Sequence, residues 1–120
     1  MAKILIIEDH LETSEFMQNL LKINGLDSLV APDGMSGLEK ARTEKPDLIL
    51  LDLMMPEMDG FEVCRQLKTD PGTASIPIII VSVRASEDSI SKGKSLGAVD
   101  YITKPFDPAK LIETMKKFLK

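Results

Sequence analysis

The stretch Pro46-Asp47-Leu48-Ile49-Leu50-Leu51-Asp52 is apolar from Leu48 to Leu51 and then stops on a charge. Three other segments follow the same plan. Ile4-Leu5-Ile6-Ile7 closes on Glu8 and Asp9, Ile78-Ile79-Ile80-Val81 closes on Ser82, and Tyr101-Ile102-Thr103 is followed by Lys104. The first of these does not alternate between polar and apolar, which is the pattern of a strand covered on both faces. If these runs are parallel strands of one sheet, their C-terminal ends share an edge. An acid, an acid pair, a hydroxyl and an amine then converge from most of the chain's length.

Between the apolar runs the period changes. Strands are expected over Ala2 to Ile7, Ser28 to Ala31, Asp47 to Asp52, Ile76 to Ser82 and Val99 to Thr103. Phe16, Met17, Leu20, Leu21 and Ile23 recur at helical spacing, and Asn24-Gly25 stops that helix. A second helix follows Pro32-Asp33-Gly34 and ends at Pro46. A third runs from about Gly60 to before Pro71-Gly72, and a fourth from about Glu87 to Leu96, closed by Gly97. Asp107-Pro108 supplies a cap and a first-turn proline for the fifth, with Leu111, Ile112, Met115, Phe118 and Leu119 inward. Pro77 fits a strand start, where one missing donor is tolerated. Lys68 to Ser75 is expected to be the exposed loop.

Five βα units with short connections imply an α/β fold. Parallel strands need crossovers, and right-handed crossovers put helices on both faces of an open, doubly wound five-stranded sheet. Ligands of such sheets bind beyond the carboxyl ends of the strands. The 120 residues fit one domain, 1–120, with an ordinary 43% hydrophobic and 28% charged composition. A net charge of −4 without a basic stripe argues against nucleic acid. No apolar run approaches the roughly 20 residues of a membrane span. Cys64 is the single cysteine, so no internal disulfide forms, and a reducing, cytoplasmic setting is expected.

Carboxylates crowded at one edge repel one another, and a divalent cation relieves that repulsion. Oxygen ligands suit magnesium, and Lys104 with the cation would neutralise an incoming phosphoryl group. An aspartate can accept that group as an acyl phosphate. Taken singly, each residue has a plainer reading. Glu8-Asp9 reads equally as a solvated strand end or a cap, Asp59-Gly60 as a turn or cap, Lys104 as a surface lysine, Tyr101 as a half-buried aromatic, His10 as a loop residue and Cys64 as a buried helix residue.

In this order and spacing, Ile7-Glu8-Asp9, Pro46 to Asp52, Met55-Pro56-Glu57-Met58-Asp59-Gly60, Ser82 and Tyr101-Ile102-Thr103-Lys104-Pro105-Phe106 resemble the receiver domains of two-component response regulators. The resemblance covers essentially the whole chain. It implies a flavodoxin-like sheet of order 2-1-3-4-5. It implies that Asp52 takes phosphate from a histidine kinase or a histidine phosphotransfer protein. Asp9 and Asp52 would ligate Mg2+ with the Met54 backbone carbonyl, and Glu8 would help through water. Lys104 would pair with the phosphoryl group, and Ser82 and Tyr101 would form a switch pair. The Lys104-Pro105 bond would be cis. A downstream protein would dock on the face of the fourth helix, fifth strand and fifth helix. The only reactions implied are phosphorylation and dephosphorylation of the chain itself.

Two departures stand out. Val83 follows Ser82 where the family usually has a small residue, so slower entry of phosphodonors or attacking water is expected. The fourth helix holds only Ile90 and Leu96 as apolar anchors, with Gly93 between, so it is expected to be marginally stable and movable. One alternative is a pseudo-receiver, an interaction module that never carries phosphate. A phosphohydrolase of the haloacid dehalogenase kind would want a second aspartate where Met54 stands. A dinucleotide-binding protein would need glycine between Glu8 and Glu15, and there is none.

Overall fold

A computed structural model describes residues 2–119; the two ends of the expected 1–120 unit, Met1 and Lys120, lie outside the described residues. Strands and helices alternate throughout as β1 (Lys3–Ile7), α1 (Leu11–Ile23), β2 (Asp27–Ala31), α2 (Gly34–Glu44), β3 (Leu48–Leu51), α3 (Gly60–Thr69), β4 (Ile78–Ser82), α4 (Glu87–Ser95), β5 (Asp100–Thr103) and α5 (Pro108–Phe118). The sheet is parallel, in the order β2-β1-β3-β4-β5.

The non-alternating runs are explained by their burial. Every residue of β3 and β4, and Ile4 to Ile7 of β1, is buried. Successive side chains point to opposite faces, so each strand divides itself between two cores. Leu5, Ile7, Ile49, Leu51, Ile78 and Ile80 meet Leu38 and Ala41 of α2 and Phe61, Val63, Cys64 and Leu67 of α3. Ile4, Ile6, Leu48, Leu50, Ile79 and Val81 meet Met17 and Leu21 of α1 and Leu111, Ile112 and Met115 of α5. Each fully buried aliphatic side chain contributes about 1.5–3 kcal/mol, so the central strands dominate the fold's stability.

The ends of the elements depart from expectation by a residue or two, each for a local reason. Asp47 stands just before β3, where its carboxylate accepts the Lys3 N–H and its own N–H donates to the Lys3 carbonyl, both at 2.8 Å. Asp52 follows β3, with its N–H donating to the Ile7 carbonyl at 3.0 Å. Pro77 precedes β4 and does not open it. Helix α2 ends before Pro46, at Lys45 in the left-handed region (φ 47°). Of the helical-period residues in α1, Met17 and Leu21 are buried, whereas Phe16 and Ile23 face solvent. Asp33, Asp59, Ser86 and Asp107 cap α2, α3, α4 and α5 through side-chain oxygens.

The segment Lys68 to Ser75 carries the expected exposed residues, but it begins inside α3 and is tethered to its neighbours. Thr73 is fully buried and its hydroxyl donates to the Leu67 carbonyl at 2.7 Å. The Lys68 ammonium donates to the carbonyls of Ala74 and Ile76 at 3.1 and 2.7 Å. Burial pushes the Lys68 pKa down. Only Pro71, Gly72, Ser75 and Thr69 stand exposed there.

Candidate functional site

The C-terminal ends of β1, β3, β4 and β5 bring Glu8, Asp52, Ser82 and Lys104 to one edge, as their strand positions require. Asp52 is 6% exposed and Glu8 is 3% exposed. Lys104 lies between them. Its Nζ is 2.6 Å from Glu8 Oε1 and 3.8 Å from Asp52 Oδ2. Two buried carboxylates sharing one ammonium leave a net negative charge at the edge. Burial drives the Glu8 pKa upward; the Lys104 hydrogen bond opposes that, and the Asp52 charge adds to it.

The backbone fixes the acids. The N–H of His10 donates to Glu8 Oε2 at 3.1 Å, and that of Met54 donates to Asp52 Oδ1 at 3.2 Å. Gly60 opens α3 directly against the Asp52–Leu53 backbone that follows β3. A Cβ there would fall 2.5 Å from Leu53 Cα and 2.8 Å from the Asp52 carbonyl oxygen, so no side chain fits. The Lys104-Pro105 bond is cis, as expected.

Asp9 is exposed and stands outside the Lys104 pairing. Ligand atoms of Glu8, Asp9 and His10 all lie within 4.8 Å of one another. The Glu8 and Asp9 carboxylates of that group are hard oxygen donors of the kind a divalent ion such as magnesium takes. His10, the residue read as a loop position, caps α1 with its backbone.

Ser82 is fully buried, and its Oγ accepts the Arg84 N–H at 3.2 Å. Tyr101 is half-buried, and its hydroxyl donates to the Arg84 carbonyl at 2.8 Å. Burial raises the Tyr101 pKa, with the Ser82 hydroxyl and the Arg84 charge acting in the opposite direction. Met54 and Val83 stand 50% and 59% exposed in the loops that leave β3 and β4. The Cys64 thiol is buried, and burial pushes its pKa up.

One arrangement was not legible in advance. The Phe61 ring sits beneath two cations, Arg84 Cζ at 5.4 Å and Lys92 Nζ at 4.6 Å from its centroid. These residues belong to α3, the β4–α4 loop and α4, and no sequence spacing links them.

Residues 4–116 match the response regulator receiver domain family, and the chain belongs to it. It is 41% identical over 118 residues to the alkaline phosphatase synthesis transcriptional regulatory protein PhoP of Bacillus subtilis, covering 98% of this chain and 48% of that protein. It is 40% identical over 119 residues to protein PilH of Pseudomonas aeruginosa, covering 99% of this chain and 98% of that one. The chain thus spans about half the length of PhoP and nearly all of PilH. Among solved structures, the chemotaxis protein CheY4 of Vibrio cholerae superposes with a TM-score of 0.93 at 30% identity, over 99% of both chains. The BeF3-activated N-terminal receiver domain of Klebsiella pneumoniae RstA gives 0.92 at 33% identity, over 98% of each. The flavodoxin-like strand order is that of these neighbours. No helix among the described residues is long and apolar enough to cross a membrane.

Proposed function

We propose that residues 1–120 act as one phosphoaccepting receiver unit in the cytoplasm, with Asp52 as the acceptor. The carrying observation is Lys104 poised between Glu8 and Asp52 at 2.6 and 3.8 Å. That geometry keeps a cation at the acceptor oxygen before any phosphoryl group arrives. An Asp52 carboxylate oxygen attacks the phosphorus of a phosphohistidine on a histidine kinase or phosphotransfer protein. The phosphorus–nitrogen bond breaks, and its electron pair leaves on the imidazole nitrogen, which takes a proton.

Asp9 and Asp52, with the Met54 carbonyl and with Glu8 through water, would hold Mg2+. When bound, the ion supplies neutralising charge for the phosphoryl oxygens. Lys104 exchanges Glu8 for the phosphoryl group, a stronger acceptor. Ser82 releases the Arg84 N–H and donates its hydroxyl to a phosphoryl oxygen, while Tyr101 follows the space that Ser82 leaves. The α4/β5/α5 face then presents the altered surface to a downstream protein. Turnover of an external substrate is not part of this reading.

Intact mass after incubation with magnesium and acetyl phosphate tests it. The native chain gains a single phosphoryl adduct, and Asp52→Ala gains none. Val83 follows Ser82 in the exposed loop that leaves β4, and its bulk is expected to slow access, so Val83→Ala loads faster and loses its acyl phosphate sooner; equal rates would remove that part of the reading. If neither acetyl phosphate nor a phosphorylated phosphotransfer protein modifies the native chain, the pseudo-receiver alternative replaces it.

A further inference from the structure

We propose that Phe61 is a positioning residue for the Ser82–Tyr101 pair: its ring holds the cations of Arg84 and Lys92 and thereby fixes the Arg84 backbone, whose N–H and carbonyl bond the two hydroxyls. The inference rests on the reading of Ser82 and Tyr101 as a switch.

Arg84 is the meeting point. Its N–H donates to Ser82 Oγ at 3.2 Å, and its carbonyl accepts from the Tyr101 hydroxyl at 2.8 Å. The backbone of one residue therefore touches both members of the pair. The side chain of that same residue lies over the Phe61 ring. Lys92 reaches the same ring from α4 and comes closer, at 4.6 Å. Phe61 itself is anchored: it is 5% exposed, and its N–H donates to Asp59 Oδ1 at 2.9 Å. It also follows Gly60, which abuts the Asp52 carbonyl. Packed and hydrogen-bonded neighbours thus run without a break from the acceptor strand through Phe61 to the switch peptide and to α4.

The clamp matters because α4 has little else. Gly93 is its only buried residue. A methyl at that position would lie 2.6 Å from Ile80 Cδ1 and 3.3 Å from Tyr101 Cδ2, so α4 rests on the switch aromatic itself. Two like charges over one ring repel each other. Asp59 and Asp88 line the same groove of about 220 Å3 and moderate that repulsion. Loss of either cation is therefore felt at Tyr101, through the Arg84 carbonyl or through α4.

The chain has one tyrosine, so 3-fluorotyrosine gives a 19F signal from Tyr101 alone, whose position and splitting report its environments. The measurement uses the full chain without phosphodonor. Phe61→Leu keeps the apolar volume and removes the ring face. Arg84→Gln removes a cation, and Arg84→Lys restores one. Phe61→Leu and Arg84→Gln are expected to shift the ratio of Tyr101 environments by about two- to fivefold, the range one exposed cation–π contact supports. Arg84→Lys is expected to return most of that shift. A native resonance in Phe61→Leu, or Arg84→Lys as perturbed as Arg84→Gln, would overturn the proposal. If Phe61→Leu does not fold, the exposed substitution Lys92→Gln takes its place, with the same expected shift and the same overturning result. Phosphoryl loading on Asp52 is scored separately. A chain that shifts as expected but never loads would count against the receiver reading and leave the clamp standing.

Discussion

Helices α5 and α4 follow consecutive strands and are attached in opposite ways. Helix α5 buries Leu111, Ile112 and Met115 against β1, β3 and β4. Helix α4 buries Gly93 alone and hangs on a cation–π contact, a serine cap and the half-buried Ile90 and Leu96. Apolar burial is non-directional and scales with area, so α5 is committed to one position. A helix without that area can shift at little cost. The looser helix is the one that touches Tyr101, and this is where a movable element belongs.

The largest effect separates the two helices directly. Leu111→Ala should cost about 2–5 kcal/mol in urea unfolding, the range for a fully buried leucine. Ile90→Ala should cost less than about 1 kcal/mol, because most of the side chain's transfer energy is never gained. Equal costs would abolish the contrast.

An intermediate effect lies at the charged edge that α4 adjoins. The Glu8 carboxyl is raised above its ordinary value of 4.5 by burial. The native state therefore binds this proton more tightly than the unfolded chain does. The stability it contributes is present at acid pH and is lost as pH rises through the raised value. Glu8→Gln should flatten that part of the stability profile and stabilise the metal-free protein at neutral pH by about 0.5–2 kcal/mol, the usual size when a functional compromise is removed. A less stable Glu8→Gln at pH 7 would show that the Lys104 pair outweighs the cost of burial.

The smallest effect sharpens the local side of the comparison. The Ser86 hydroxyl accepts the Ser89 N–H at 3.1 Å and caps α4. Ser86→Ala should cost about 1 kcal/mol locally. Hydrogen exchange should speed up over Glu87–Ser95 and stay unchanged over Pro108–Phe118. In the native protein the α4 amides should already exchange at least about a hundredfold faster than those of α5. Protection of α4 to the level of α5 would contradict the whole account.

Much of the architecture was legible because its signals are local. Apolar runs of four or five residues, too short for helices and rich in isoleucine and leucine, fit strands covered on both faces, and the capping acids and glycines mark where helices start and stop. The acids, hydroxyl and amine at the strand ends were legible for the same reason, since parallel order forces such ends to one edge. The exposure of Lys68 to Ser75 was legible but its tethering was not, because a buried threonine and a lysine bound to two carbonyls leave no local mark in a turn-rich segment.

What the chain determined by itself is the sheet, its edge and the residues on that edge. Periodicity and strand direction are properties of neighbouring residues. Only the tertiary structure decided that Lys104 pairs chiefly with Glu8, that Asp9 stays outside that pairing, and that Phe61 carries two cations. Those contacts join residues from separate elements. Their existence depends on how helices settle on the sheet to within an ångström, and side-chain packing over the whole domain sets that.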